Sequence, residues 1–145
     1  MSTRIELTEV AREGFHSVMA LQKYVDANVD RTVLHLVQMC ASLLNGCTFC
    51  IDMHTREALA AGEDPRRLTG VAGWRESGLF DERERAALAL TEAVTRLEPS
   101  GVPDAVWDRA VAQWSEEGAA NLVLAIGTIN LWNRILVTTR KGVPA

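Results

Sequence analysis

Proline is scarce in this chain, four residues in all, and none precedes Pro65. Nothing therefore interrupts helix formation over the first 64 residues on that account. Sustained period-2 alternation bounded by turn residues is missing, which excludes a strand-built architecture. Cysteine is limited to three residues, an odd number that does not suit a secreted disulfide framework. No run of lysine or arginine occurs, and the net charge of −4 with pI near 5.4 lacks the basic footprint of a nucleic-acid binder. The opening MSTRIELTEV has no basic n-region followed by an apolar h-region. The longest apolar stretch, LVLAIGTINLWNRILV, is cut by Asn130, Asn133 and Arg134, short of the ~18 unbroken apolar residues of a membrane span. The expectation is a cytoplasmic protein with neither a nucleic-acid nor a membrane partner.

What is present is an ordinary globular composition, 48% apolar and 23% charged over 145 residues. That suffices for one domain, residues 1–145, with a real core. Repeats, low-complexity tracts and linkers are absent.

The periodicity predicts an all-α fold of six to seven helices. The first spans about Val10 to Ala27 on a stripe of Phe15, Val18, Met19, Leu21 and Val25, interrupted by Gln22. Asp30 can cap a second over about Arg31 to Leu44, ended by Asn45-Gly46. A third runs from about Cys47 to Ala61 and stops at Gly62. Asp64-Pro65 opens a short fourth helix to about Trp74, and Asp81 to Glu84 resembles a capping box for a fifth reaching about Leu97. Pro103 starts a sixth to about Trp114, and Ser115 can cap a last helix to about Thr139.

Two of the three cysteines sit in NGCTFCIDMH, residues 45–54. On a helix, Cys47 and His54 would lie about 20° apart around the axis, and Cys50 and His54 about 40°. Both thiols near a helix start, with an imidazole on the same face, favour thiolate formation. His54 can act as base toward Cys50 one turn away. The spacing also permits a disulfide. Three readings stay open: a redox pair, a Cys₂His₂ zinc site using Cys47, Cys50, His54 and His35, or inert core thiols. In the preceding helix His35, Gln38, Ser42 and Asn45 form a polar stripe that lines a site or meets solvent. Cys40 falls on the apolar face as a core residue, and His16 is structural or on the surface. The four tryptophans, Trp74, Trp107, Trp114 and Trp132, suit a core or subunit interface, and Asn130 and Asn133 suit buried hydrogen bonds.

The segment HLVQMCASLLNGCTFCIDMHTREALAAGED resembles the core of the alkylhydroperoxidase-D-like branch of the carboxymuconolactone decarboxylase superfamily. VMALQKYV before it, and WRESGLFDERERAALALTEAVT and LVLAIGTINLWNRI after it, extend the likeness over most of the chain. The resemblance implies an all-helical fold assembling as homotrimers or homohexamers. It further implies reduction of a hydroperoxide without a cofactor, by a thiolate that becomes a sulfenic acid and is resolved to a disulfide. Cys47 and Cys50 match the redox pair and His54 the proton-relay histidine; Cys50, one turn from His54, is favoured as the attacking thiol. A dithiol partner protein, lipoyl-bearing or thioredoxin-like, would supply the electrons. The decarboxylases of the superfamily lack the cysteine pair, which argues against decarboxylation here.

Three positions depart from the pattern. His35 stands where the family carries a glutamate, Cys40 where it often carries arginine, and Phe49 where some members have histidine. His35 can carry protons but cannot stabilise an imidazolium as a carboxylate does. Besides a peroxidase, a redox-sensing or disulfide-exchange protein with weak peroxide turnover fits this set.

Overall fold

The computed structural model describes residues 1–145, and every regular element is helical. In chain order these are α1 (Leu7–Val10), α2 (Arg12–Asn28), α3 (Arg31–Asn45), α4 (Thr48–Ala60), α5 (Pro65–Gly70), a 3₁₀ turn (Val71–Gly73), α6 (Glu82–Thr95) and α7 (Asp104–Thr139). The first expected helix thus begins two residues later, because the backbone leaves helical geometry at Ala11 (φ −141°, ψ 53°) and sets off the short turn α1.

α3 is the central element. Its start is capped by Asp30, whose side chain accepts the Val33 N–H, and Gly46 ends it in the left-handed region (φ 66°) that glycine adopts without strain. Ten consecutive residues, Val33 to Ser42, are buried, so all faces of α3 are covered. Val33, Val37 and Ala41 pack on Ala87 and Leu90 of α6 and on Leu122, Ile126 and Ile129 of α7. Leu36, Met39 and Cys40 pack on Ala58, Leu68, Trp74, Phe80 and Leu88. Each fully buried leucine or isoleucine contributes about 1.5–3 kcal/mol of transfer free energy.

Complete burial forces the polar residues of α3 to find partners. Asn133 of α7 donates to the Ser42 hydroxyl (3.1 Å), and Asn45 donates to Asn130 and Asn133 (2.9 Å each). Asn130 in turn donates to Thr95 (2.9 Å). This network pins the last turn of α3, immediately before the first cysteine of the pair, against α7.

α7 contains a break at Ser115 (φ 66°, ψ 172°), whose hydroxyl accepts the Gly118 N–H at 3.2 Å. Ser115 is therefore the cap of the last helical stretch, as its sequence position predicts. By length and composition α7 is apolar enough to cross a membrane, yet Ala119, Leu122, Ile126 and Ile129 face α3 and α6. Between α4 and α6, Arg67 joins Glu63 (2.8 Å), both oxygens of Glu84 (2.6 and 3.1 Å) and the Leu79 carbonyl (2.6 Å). Glu84 also completes the expected capping box with Asp81. Trp74 is buried, Trp114 and Trp132 are half-buried, and Trp107 is exposed.

Candidate active site

Helix α4 does not begin at Cys47, as the spacing predicts, but one residue later. Cys47 is the N-cap, with extended backbone (φ −84°, ψ 91°), and its sulfur accepts the Cys50 N–H at 3.4 Å. The Asn45-Gly46 turn sets this geometry, since the Cys47 N–H returns to the Ser42 carbonyl (3.0 Å) as the chain leaves α3. Cys47 and Cys50 are joined in a disulfide, with Cα atoms 5.3 Å apart. Cys50 and His54, one turn apart on α4, both line the same cavity; Cys47 is outside its lining, and both cysteines of the pair are buried.

That cavity has a volume of about 580 Å³. Phe15 and Met19 from α2, Leu34 from α3, Phe49 and Met53 from α4 and Trp132 from α7 supply apolar wall. The apolar stripe of α2 is thus partly cavity lining rather than core. Gln22, which breaks that stripe, lines the cavity too, accepting from the Trp132 indole N–H (3.1 Å) and donating to Asp26 (2.8 Å). One side is closed by Ile5 to Thr8, held by the Lys141–Glu6 ion pair (2.9 Å) and by the Arg4 N–H on the Thr139 carbonyl (2.8 Å). No motif in the sequence marks this closure: it joins residues more than a hundred positions apart through single contacts.

The polar part of the wall includes Cys50, His54, Glu57, His35, Gln38 and Arg31. The two readings of the α3 polar stripe are decided by burial. His35 is 6% and Gln38 4% exposed, and both face the cavity, while Ser42 and Asn45 serve the network with α7. Burial pushes the His35 pKa below its ordinary 6.5, helped by the Arg31 cation and opposed by the Glu57 carboxylate. His35 is therefore neutral at pH 7, a hydrogen-bonding group rather than a cation.

Glu57 escapes the sequence reading. Its carboxylate lies 3.0 Å from His54 Nδ1, one turn further along α4, and is half-exposed. The hydrogen bond from His54 holds the Glu57 pKa below its ordinary 4.5. An ionised carboxylate only accepts, so Nδ1 must donate, and in the neutral ring the free lone pair sits on Nε2. The i,i+3 spacing was a usable signal, since residues three apart on a helix are neighbours.

Cys40 is 3% exposed, and burial followed by the Glu92 charge pushes its thiol up to about 12, so it stays protonated. His16 is on the surface. With both sulfurs of the pair in a disulfide, no group of three or more His, Cys, Asp and Glu side chains is placed to share an ion.

The buried imidazole carries a consequence for stability. The folded pKa of His35 lies below the unfolded value, so as pH falls beneath about 6.5 the unfolded chain binds more protons and stability declines. Glu57, with its lowered pKa, adds a loss in the same direction further into the acid range. Urea midpoints at pH 7.5 and 5.5 should therefore differ, the acid one being lower, and His35→Gln should narrow the gap. An equal gap in parent and variant would assign the acid sensitivity elsewhere.

Comparison with known proteins agrees with this architecture. The family model described as "Carboxymuconolactone decarboxylase family" matches residues 12–93. The uncharacterized protein YdfG of Bacillus subtilis (strain 168) is 38% identical over 138 residues, 94% of either chain. A solved protein of unknown function from Agrobacterium tumefaciens, named as a candidate antioxidant defence protein AhpD, is 38% identical, with TM-score 0.95 over 99% of both chains. The debrominase Bmp8 shares the fold at 21% identity, with TM-score 0.77 over 89% of this chain and 70% of its own. The chain belongs to the carboxymuconolactone decarboxylase family.

Proposed function

We propose that the protein is a thiol peroxidase that reduces organic hydroperoxides, cycling Cys50 and Cys47 between dithiol and disulfide. The observation that carries this reading is that Cys50, bonded to Cys47, lines the cavity that His54 also lines. In the reduced protein His54 takes the Cys50 proton, leaving a thiolate. The thiolate attacks the terminal oxygen of the hydroperoxide; a sulfur–oxygen bond forms as the oxygen–oxygen bond breaks. The departing alkoxide takes the proton back from His54 and leaves as an alcohol. Cys47 then displaces hydroxide from the sulfenic acid, and with the Cys47 proton this departs as water. His35 and Gln38 are positioned to hydrogen-bond the peroxide oxygens. The disulfide is returned to thiols by a dithiol partner protein, whose two thiols are oxidised in exchange. The working form is a homo-oligomer.

A cavity of about 580 Å³ with aromatic and methionine walls suits a bulky apolar hydroperoxide better than hydrogen peroxide. The test is to reduce the protein, remove the reductant, add a slight excess of cumene hydroperoxide or hydrogen peroxide, and count free thiols against time. Two of the three thiols should disappear, and faster with cumene hydroperoxide. Retention of all three over hours would overturn the peroxidase reading. Loss of two thiols without turnover when a dithiol such as dihydrolipoamide is supplied would favour a redox sensor instead.

A further inference from the structure

We infer that Glu57 is the positioning carboxylate of the proton relay, supplying from within α4 the negative charge that position 35 of α3, a histidine, does not. This builds on the thiol peroxidase reading. The contact is direct: Glu57 Oε2 accepts from His54 Nδ1 at 3.0 Å, at the wall that also holds Cys50. It does two things. It fixes the tautomer, so that the basic Nε2 is the atom free to take the Cys50 proton. It also places a full negative charge against the ring when that proton arrives, which stabilises the imidazolium half of the thiolate–imidazolium pair.

The charged and titratable groups around the pair come from several elements. Arg31 and His35 face it from α3 and Glu63 from the segment after α4, while Asp26 of α2 and the Glu6–Lys141 pair lie further along the same cavity. His35 is neutral, and the carboxylate hydrogen-bonded to the His54 ring is that of Glu57.

Two opposing effects follow from removing the Glu57 charge. Losing the contact with His54 makes the imidazolium harder to form, which raises the pH at which Cys50 ionises. Losing a negative charge near Cys50 itself acts the other way. Glu57 and Cys50 are seven residues apart, about 10 Å along the helix, so their direct Coulomb interaction is about threefold weaker than one across the His54 contact. The contact at 3.0 Å wins.

The experiment is the pH profile of Cys50 alkylation by iodoacetamide in the reduced protein, read on the Cys50 peptide by mass spectrometry. It is run for parent, Glu57→Gln and Glu57→Asp. The midpoint should rise by about one pH unit in Glu57→Gln, a tenfold change in the ionisation equilibrium, and stay near the parent in Glu57→Asp. Because Glu57 is half-exposed, neither change disturbs the core. The double variant Glu57→Gln/His35→Glu, which moves the carboxylate to α3, should recover part of the shift. An unchanged midpoint in Glu57→Gln overturns the inference, as does an equal rise in Glu57→Asp and Glu57→Gln. The alkylation readout needs no peroxide: a parent that consumes no hydroperoxide removes the peroxidase reading, while the midpoints still decide the part played by Glu57.

Discussion

Replacing Cys50 by serine is expected to lower hydroperoxide consumption by at least about 10³-fold, the scale of loss when a nucleophile is removed. Cys47→Ser should behave differently. Cys50 would still face the cavity beside His54, so one equivalent of hydroperoxide should be consumed and one thiol lost as sulfenic acid. Without the resolving sulfur, turnover with a dithiol should then stall. The asymmetry comes from position, since Cys50 belongs to the cavity wall and Cys47, the helix cap, does not. Stopped-flow peroxide consumption with sulfenic-acid trapping by dimedone distinguishes the two. Should Cys50→Ser and Cys47→Ser both trap one sulfenic acid at equal rates, the assignment of roles fails. Dimedone labelling of Cys47 with none at Cys50 would reverse it. Cys40, protonated and buried, should be unlabelled in every case.

The helices were legible because their signals are local. Asp30 before α3, Gly46 after it, Asp64-Pro65 before α5 and the Asp81–Glu84 box before α6 all act within four residues of the backbone groups they satisfy. Even the break at Ser115 could be read, since a serine cap serves an N–H three residues on. The limits appear where burial decides. His35 and Gln38 stand on a face that sequence leaves open to solvent or to a site. Only the approach of α2, α4 and α7 around the cavity encloses them. Periodicity cannot place a helix boundary to one residue, so it does not separate Cys47 as a cap from Cys47 as a first helical residue. Glu57 is one of several charged side chains on α4, and its i,i+3 spacing from His54 becomes a contact only in the folded helix. The N-terminal closure leaves no pattern at all, because α1 buries none of its residues and the residues before it, Arg4 and Glu6, make the polar contacts to the far end of the chain.

Arg67→Met should be among the most destabilising single changes outside the apolar core. The guanidinium joins Glu63 and Glu84, whose side chains are only 9% and 11% exposed, and donates to the Leu79 carbonyl. Methionine keeps most of the stem but leaves two carboxylates facing each other with little solvent. A largely buried ion pair broken on one side costs about 3–5 kcal/mol, because the remaining charge is uncompensated. For a chain of this size that lowers the melting temperature by about 10 °C. Arg56→Met is the control: the Arg56–Asp52 pair has the same 2.8 Å contact, but Arg56 is 64% exposed, so its loss should cost under about 1 kcal/mol. Neutralising both acids as well, in Arg67→Met/Glu63→Gln/Glu84→Gln, should recover much of the difference, since the penalty lies in the stranded charges rather than in lost packing. Urea unfolding of the four proteins decides it, and similar costs for Arg67→Met and Arg56→Met would show that water reaches the cluster. Glu63 stands three residues beyond the helix that carries Cys50, His54 and Glu57, so this cluster ties the chain just past the far end of that helix to α6. A weakened Arg67→Met protein that still folds at low temperature should therefore also react more slowly with hydroperoxide, through a loosened α4 rather than through any contact with the substrate.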